Sequence, residues 1–218
     1  MFTGIIECTG VIQSIHRRGS SLELLIDPGI PDFPVDTGAS VAIDGTCLTL
    51  EQWTGRSMRF SAVAETLKRT TLYSARAGQR VNCERAAKLG NRLDGHLVYG
   101  HVDGTGTITN DEERNGSTLR TISVPDELSP FMAEKGSVAI DGISLTIARS
   151  DKRSITVSII PHTLKVTTLS DKGRGDPVNI ECDIIARYLR RLIAEPQDPN
   201  PSSDKKESIT AIMERAGF

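Results

Sequence analysis

Residues 40–50 read SVAIDGTCLTL, and residues 137–147 repeat this string as SVAIDGISLTI, 97 positions further on. The similarity continues downstream: between residues 40–84 and their counterparts the chain has 21 identities in 45 positions without a gap. Upstream the displacement becomes 96, so that the copies begin near Met1 and near Val98. Because an internal repeat indicates an architecture built from copies of one unit, the sequence predicts two similar domains.

Each unit is predicted to be a small, closed β-barrel. Within the repeated string, Val41 and Ile43 share one face of a strand, because strand side chains alternate with a period of two. The pair Asp44-Gly45 that follows is a hairpin-turn signal. Short strands at this spacing, separated by Gly-rich turns, are typical of small barrels. One short helix is expected between strands in each copy, at 65–71 and near 163–169.

The C-terminal part of the chain has no counterpart in the first unit. Apolar residues there follow a helical period, which predicts one apolar helix face. This face packs either on the chain's own barrel or on a partner chain, and the pattern leaves both alternatives open. A Pro-rich polar linker follows at 195–203, with a brief helix expected over 208–217. The apolar helical positions are Ile184, Ile185, Tyr188, Leu189, Leu192 and Ile193.

The composition excludes several classes of protein. The 218 residues are 38% hydrophobic with a net charge of −2, which indicates a soluble protein and argues against a nucleic-acid binder. The N-terminus has no signal-peptide pattern, and no apolar run reaches the ~18 residues of a membrane span. Four cysteines without a CxxC pair favour free thiols in a cytoplasmic protein over a metal site.

Two copies of one fold predict two similar small-molecule pockets, whose roles diverge where the copies differ. The shared residues would hold the fold or a common ligand group, and the differing residues would give the pockets different roles. The differing positions inside otherwise matching segments are Cys47 with Ser144, Thr46 with Ile143, Glu65 with His162, and Ile5 with His101.

Each of these positions also has a purely structural interpretation. Cys47 is either a small buried residue or a nucleophile, and the second role needs a cationic neighbour such as His101 to lower the pKa of its thiol. The Gly-rich segment around His101 suits either tight turns or close approach to a ligand. His96 is interpreted as structural, and the Asp-Gly pairs as hairpin turns.

Several motifs together resemble the riboflavin synthase family of the α-chain type, over roughly residues 1–193. MFTGII and GHLVYGHVDG stand at the starts of the two copies, and they are followed by GTCLTL and VAETL in the first copy and by GISLTI and IPHTL in the second. The resemblance implies an all-β fold of two tandem six-stranded Greek-key barrels, related by internal duplication, with a C-terminal helix. The implied divisions are an N-terminal barrel at 1–97, a C-terminal barrel at 98–182, a trimerisation helix at 183–193 and a polar tail at 194–218.

The resemblance also implies the reaction and the assembly. Two molecules of 6,7-dimethyl-8-ribityllumazine would undergo dismutation by transfer of a four-carbon unit, giving riboflavin and 5-amino-6-(D-ribitylamino)uracil, without metal or redox cofactor. Each barrel would bind one lumazine. The productive site would pair the N-terminal barrel of one chain with the C-terminal barrel of its neighbour in a homotrimer. No nucleic acid or membrane takes part.

The family pattern implies functional residues at matching positions of this sequence. Catalytic roles fall to Cys47, His101, Ser144 and Ser40, supported by Phe2, Lys135, Thr146 and Asp183. In the first barrel the ligand-lining residues are Gly4, Ile5, Ile6, Cys47, Leu48, Thr49, Ser61, Ala62, Val63, Ala64, Glu65 and Thr66. In the second they are Gly100, His101, Val102, Lys135, Ser144, Leu145, Thr146, Ser158, Ile159, Ile160, Pro161, His162 and Thr163.

The chemistry assigns a hypothetical role to each reactive group. One lumazine must lose a proton from its 7-methyl group, and His101 is a suitable carrier near neutral pH. Ser144 or Cys47 would add to the other ring or position a water that does so. His162 departs from the family pattern, which often has Glu there, although a neutral imidazole can also accept a hydrogen bond from a ribityl hydroxyl.

Two other classes of protein share this barrel. Lumazine- or flavin-binding antenna proteins keep the duplication but lose reactive positions, whereas this chain retains Cys47, His101, Ser144 and Lys135. Flavin reductases need a nicotinamide-binding domain with a Gly-rich fingerprint, and this sequence has none. The sequence therefore favours the enzyme.

Overall fold

The computed structural model describes residues 1–31 and 33–194. Met1–Arg187 form one compact unit, and a second unit begins at Tyr188. The expected polar tail beyond residue 194 and its short helix over 208–217 lie outside the described residues. Within the described ranges, no helix is long and apolar enough to cross a membrane.

The first repeat folds into seven strands and one short helix. The helix α1 spans Ala64–Arg69 and is followed by a 3-10 turn at Thr71–Ser74, where the sequence predicts a helix over 65–71. The strands are β1 Cys8–Arg18, β2 Ser21–Asp27, β3 Ser40–Ile43, β4 Thr46–Thr49, β5 Gln52–Thr54, β6 Ser57–Ala62 and β7 Arg80–Arg85.

The second repeat has the same order of elements with six strands. Its helix α2 spans Pro161–Val166, with 3-10 turns at Ser129–Phe131 and Thr168–Asp171, and the chain continues into helix α3, Ile184–Ala194. The strands are β8 Gly104–Arg114, β9 Ser117–Ser123, β10 Ser137–Ile140, β11 Ile143–Ser150, β12 Ser154–Ile159 and β13 Pro177–Cys182.

The two repeats close their barrels in the same way. The second is a closed barrel in the order β10-β11-β12-β9-β8-β13, and the first is a sheet in the order β4-β3-β7-β1-β2-β6-β5. Its end strands β4 and β5 are consecutive in the chain. Leu50 N–H bonds Ala39 O and Glu51 N–H bonds Arg59 O, both at 2.9 Å, across the break. The first repeat has one strand more than the six expected, because β4 and β5 are separate strands where the corresponding strand β11 of the second repeat continues through a bulge between Ile147 and Arg149. The predicted fold of two tandem barrels is confirmed.

Each barrel has its own hydrophobic core, built by strict alternation along the strands. In β2, Leu22, Leu24 and Ile26 are fully buried while Glu23 between them is partly exposed. A smaller third cluster lies between the barrels and consists of Phe2, Ala42, Val98 and Ala139. Phe2 and Val98 exchange backbone hydrogen bonds, N to O, at 2.6 and 3.1 Å.

The two Asp-Gly turns form the predicted hairpins and also pack against each other. Asp44 and Gly45 have φ of 43° and 76°, and Asp141 and Gly142 have 47° and 80°, the left-handed values of a type I′ turn. A Cβ on Gly45 would lie 2.6 Å from the backbone N of Gly142, and one on Gly142 would lie 2.7 Å from that of Gly45. Glycine is therefore required twice over, by the turn and by the contact.

A reciprocal set of side-chain hydrogen bonds surrounds this contact. Asn82 donates from Nδ2 to Asp141 O at 3.0 Å and accepts at Oδ1 from Thr168 N at 2.8 Å. Its counterpart Asn179 donates to Asp44 O at 2.7 Å and accepts from Thr71 N at 2.7 Å. The barrels thus meet through the same residues on both sides, which is the pattern of a two-fold interface.

Helix α3 carries the predicted apolar stripe. Its side chains are exposed in the single chain, with Tyr188 at 65% and Leu192 at 58% of full exposure. Large exposed apolar patches on a soluble chain mark interaction surfaces.

Candidate active site

The candidate residues of each copy share the outer face of one barrel. Register pairs Ser40 with Thr49 and Ala42 with Cys47, and Ala42 also faces Glu84 on β7. Because directly opposed residues of antiparallel strands point to the same side, Ser40, Cys47 and Thr49 lie together outside the core. The second copy repeats the arrangement with Ser137, Ser144, Thr146 and Glu181.

A glutamate at the end of each copy binds the segment at its beginning. Glu84 accepts hydrogen bonds from Thr3 N at 2.7 Å, Thr3 Oγ1 at 2.8 Å and Gly4 N at 3.1 Å. Glu181 accepts from Tyr99 N at 2.6 Å and Gly100 N at 2.9 Å. Sequence reasoning overlooked both residues as functional, although the repeated Val-Asn-x-Glu string marked them.

Burial changes the acidity of these carboxyls. It raises the pKa of Glu84 against the lowering effect of the Thr3 hydrogen bonds. It raises the pKa of Glu181 to about 7, although the amides of Tyr99 and Gly100 stabilise the ionised form. A carboxyl with such a pKa can change its protonation state near neutral pH.

The glycine of each initial segment is pressed against the other barrel. Ser144 N donates to Gly4 O at 2.8 Å, and Cys47 N donates to Gly100 O at 2.9 Å. A Cβ on Gly4 would lie 2.7 Å from Ser144 Cβ, and one on Gly100 would lie 2.5 Å from Cys47 Cβ. Both glycines have φ near +75°, so no other residue fits either place.

The backbone hydrogen bonds between the repeats add contacts to the grouping expected from the sequence. The sequence analysis assigned residues 4–6 to the pocket of Cys47 and residues 100–102 to that of Ser144. Gly4 O accepts from Ser144 N and Ile6 packs on the core of the second barrel, while Ile5 lines a cleft together with Ser40 of the first. The structure brings residues 100–102 to Cys47. The cause is the exchange of backbone hydrogen bonds between the barrels, which a one-dimensional repeat does not reveal.

The Cys47 site, defined here as Cys47, Ser40, Thr49 and His101, is open to solvent. Cys47 is half-buried, and Thr49 and His101 are exposed. The ring of Tyr99 lies 6.0 Å from that of His101. A cleft of about 530 Å³ borders this site through Ser40 and continues past Ile5 and Glu84, and its volume suits a small-molecule ligand.

The Ser144 site is defined here as Ser144, Thr146, His96 and residues 4–6. Its histidine, His96, has no counterpart in the Cys47 site. Ser144 Oγ lies 2.7 Å from His96 Nδ1, and His96 N donates to Thr3 O at 3.1 Å. Burial lowers the pKa of His96, and the charge of Asp183 opposes this effect. His96 therefore belongs to the site, whereas the sequence indicated only a structural residue. It lies in the connector between the repeats, residues 86–97, which has no second copy for comparison.

The remaining candidates lie at the ends of two strands and in the short helices that follow them. The segments 61–66 and 158–163 run from the ends of β6 and β12 into α1 and α2. Glu65 is exposed and pairs with Arg69 at 2.5 Å, and this hydrogen bond lowers the pKa of the Glu65 carboxyl. His162 is exposed in the first turn of α2.

Two supporting candidates have distinctive backbone roles. Lys135 is exposed with φ of 65°, at the position where the first copy has Gly38 with φ of 89°. A lysine seldom adopts this left-handed conformation, which costs roughly 1–2 kcal/mol. Asp183 accepts from Ile185 N at 2.9 Å at the start of α3. In residues 1–31 and 33–194, no group of three or more His, Cys, Asp or Glu could hold a metal ion.

Both repeat units match one family model, the lumazine binding domain, over residues 3–86 and 99–183. The fold and the paired sites thus define a protein with tandem lumazine-binding domains. A riboflavin synthase of Actinobacillus pleuropneumoniae is 38% identical over 219 residues, and one of Bacillus amyloliquefaciens is 40% identical over 219 residues, with 100% of both chains covered in each comparison. The chain belongs to the riboflavin synthase family.

Solved structures share the fold at lower identity. The structure of LumP complexed with riboflavin superposes with a TM-score of 0.75 at 24% identity, covering 84% of this chain and 99% of that one. The structure of LumP complexed with 6,7-dimethyl-8-(1'-D-ribityl) lumazine gives 0.73 at 23% identity, covering 83% and 98%. At this identity the likeness concerns the fold.

Proposed function

We propose that the chain catalyses the riboflavin synthase reaction, a dismutation of two 6,7-dimethyl-8-ribityllumazine molecules. One molecule gives its four-carbon unit to the other, which yields riboflavin and 5-amino-6-(D-ribitylamino)uracil. The observation that carries the proposal is the pair of matched but unequal sites around Cys47 and Ser144. Two identical substrates need similar pockets, while donor and acceptor roles need different reactive groups.

The reactive groups have distinct tasks in this reaction. His101 takes the proton from the 7-methyl group of one lumazine, which becomes a carbon nucleophile. Ser144 or Cys47 adds to the ring of the other molecule, or holds the water that adds. Backbone amides and carbonyls of the strands beside each site bind the polar edge of the ring system, and polar side chains at the rims bind the ribityl hydroxyls.

The complete site is proposed to form between chains of a homotrimer. The N-terminal barrel of one chain would face the C-terminal barrel of its neighbour, each with one lumazine, so that the two rings meet. Support comes from the exposure of Thr49, His101 and Thr146 and of the apolar face of α3, which suits a partner helix. Holding two rings face to face supplies much of the acceleration, because it replaces an encounter in solution.

A cytoplasmic location is proposed with this function. All four cysteines are free thiols, three of them buried. Reduced cysteines are the normal state in the cytosol, whereas secreted proteins of this size tend to form disulfides.

The test is incubation of the purified chain with the lumazine alone in the presence of a chelator. We expect one riboflavin to form for every two lumazine molecules consumed, followed by absorbance. Tight binding without conversion would contradict the enzyme and favour a lumazine-storing or antenna protein. His101→Gln and Cys47→Ser should lower turnover while binding persists; if both left turnover unchanged, their assigned roles would be wrong.

A further inference from the structure

Glu181 holds the segment that carries His101. Its side chain is buried at the end of β13, with Oε1 accepting from Tyr99 N at 2.6 Å and Oε2 from Gly100 N at 2.9 Å. The amide of His101 also stabilises the ionised carboxyl. Hydrogen bonds to an ionised acceptor are roughly twice as strong as neutral ones, so that successive amides of this segment are fixed by a single charge.

The same segment is held from the opposite side by the other barrel. Gly100 O accepts from Cys47 N at 2.9 Å, and the backbone of Gly100 is in contact with Cys47. The peptide before His101 is therefore fixed at both its N–H and its C=O ends. The backbone that carries the exposed His101 imidazole is therefore held from both sides.

We propose that Glu181 is the positioning residue that sets His101 against the Cys47 site for proton transfer, an inference that rests on the proposed dismutation. Ionised Glu181 can accept from both amides, whereas a protonated carboxyl turns one acceptor into a donor and loses one bond. His101 then becomes free to move away from the substrate. Correct placement is critical for such a step, since a displacement of about 1 Å can cost roughly 100-fold in rate.

The charged surroundings of Glu181 favour its protonation near neutral pH. Burial raises the pKa of Glu181 to about 7, and the nearby carboxylate of Asp103 adds to this effect. Asp103 itself pairs with Arg187 and accepts from Cys182 N at 2.8 Å, while His101 stands at the solvent side. The hydrogen bonds from the segment to ionised Glu181, here called the clamp, are complete above about pH 7. They are weakened as the pH falls through this value, and turnover falls as a consequence.

The first copy supplies a matched control. Glu84 binds Thr3 and Gly4 in the same way, with the Thr3 hydroxyl as an additional donor. Its segment carries Ile5 where the second carries His101. A change at Glu84 therefore disturbs a binding segment without a proton carrier.

The experiment compares Glu181→Gln with Glu84→Gln in the full chain. The Gln amide keeps one acceptor and loses the other. For Glu181→Gln we expect kcat to fall about 10- to 100-fold, lumazine affinity to change little, and the decline of kcat through about pH 7 to become less steep, because only the contribution of Glu181 is removed. For Glu84→Gln we expect weaker lumazine binding and a pH profile like that of the unmodified chain.

A readout independent of turnover separates this inference from the proposed function. Nuclear magnetic resonance of the His101 ring, recorded at one fixed pH, should show a displaced signal in Glu181→Gln and an unchanged one in Glu84→Gln, with the same thermal unfolding midpoint in both variants. If the unmodified chain fails to convert lumazine, the proposed function falls but this signal still tests the clamp. Equal losses of kcat in both variants with unaltered pH profiles, or an unmoved His101 signal, would overturn the inference.

Discussion

His96 distinguishes the Ser144 site from the Cys47 site at the level of a single residue. Its Nδ1 lies 2.7 Å from Ser144 Oγ, while its buried Nε2 has no hydrogen-bond partner among the residues that the structure describes. An unpaired buried acceptor is more readily tolerated than an unpaired N–H, which favours a proton on Nδ1. His96 then donates to Ser144, whose own proton is directed to the ligand.

Replacing His96 tests this arrangement. His96→Phe keeps a buried ring but removes the donor, so we expect kcat to fall by about 10-fold or more, in proportion to one hydrogen bond to a reacting group. His96→Asn places an amide near the position of Nδ1 and should restore much of the loss. The measurement is single-turnover conversion of bound lumazine, and equal rates for Phe and Asn would contradict the role.

Asp44 gives the chain a pH-dependent stability. Burial and the nearby Asp141 raise the pKa of Asp44 from its ordinary value of 3.8 to about 7. The folded chain therefore keeps this proton at a pH where the unfolded chain has lost it, and the free energy of unfolding decreases as the pH rises from about 4 to 7. Asp44→Asn should flatten this dependence in urea unfolding curves across that range.

Asp141→Asn is the control for Asp44, because the two buried aspartates differ in one neighbour. Asp141 Oδ2 accepts from Lys172 Nζ at 2.6 Å, whereas the first copy has Ala75 at the position of this lysine. Removing Asp141 leaves the Lys172 charge buried without its partner, which costs roughly 3–5 kcal/mol. Because the Asp141 charge helps to raise the pKa of Asp44, Asp141→Asn should flatten the dependence in part, whereas an unflattened curve in Asp44→Asn would show that Asp44 is not the titrating group.

Individual residues were predictable where the two copies could be compared, and otherwise were not. Cys47 and Ser144 stood out because they differ inside a repeated string. Glu181 escaped notice because it is the same in both copies, and His96 because it lies in the connector. The contacts of Glu181 and His96 depend on how distant segments of the two barrels meet, and a local sequence pattern does not encode this.

At the level of secondary-structure elements, the sequence predicted the existence of most strands better than it predicted where they begin and end. Alternation predicted the buried faces, but the strand β5, Gln52–Thr54, was not predicted. The short helices α1 and α2 were predicted from position between strands, and the apolar stripe of α3 from its period. Which surface this stripe contacts was open in the sequence.

Helix α3 supports a prediction about assembly. Leu192 is 58% exposed in the single chain, so Leu192→Glu should leave the barrels folded. If α3 joins the chains, this charge would dissociate the trimer and abolish most of the turnover, because each complete site uses two chains. Analytical ultracentrifugation measures the mass, and Leu89→Glu, at the fully exposed Leu89 of the connector, is the control. A Leu192→Glu variant that remains trimeric would exclude α3 as the interface.

At the scale of the whole molecule, the two barrels are joined by the reciprocal bonds of Asn82 and Asn179. Asn82→Ala would leave Asp141 O and Thr168 N of the other barrel without partners, at a cost of roughly 2–4 kcal/mol. Asn179→Ala should cost a similar amount. Differential scanning calorimetry of the single and double variants should give less than additive losses, because both residues serve the same junction. Full additivity would mean that the barrels are held together mainly elsewhere.

The contact of Gly45 with Gly142 has a meaning for the history of the chain. A junction in which each half offers the other the same atoms is one that two identical half-length chains can also make. Such an ancestor would have been a symmetric pair, obliged to keep both of its pockets alike because one gene encoded both. After fusion into one chain, each copy could change by mutation without the other. One site could then acquire Ser144 with His96 while the other had Cys47.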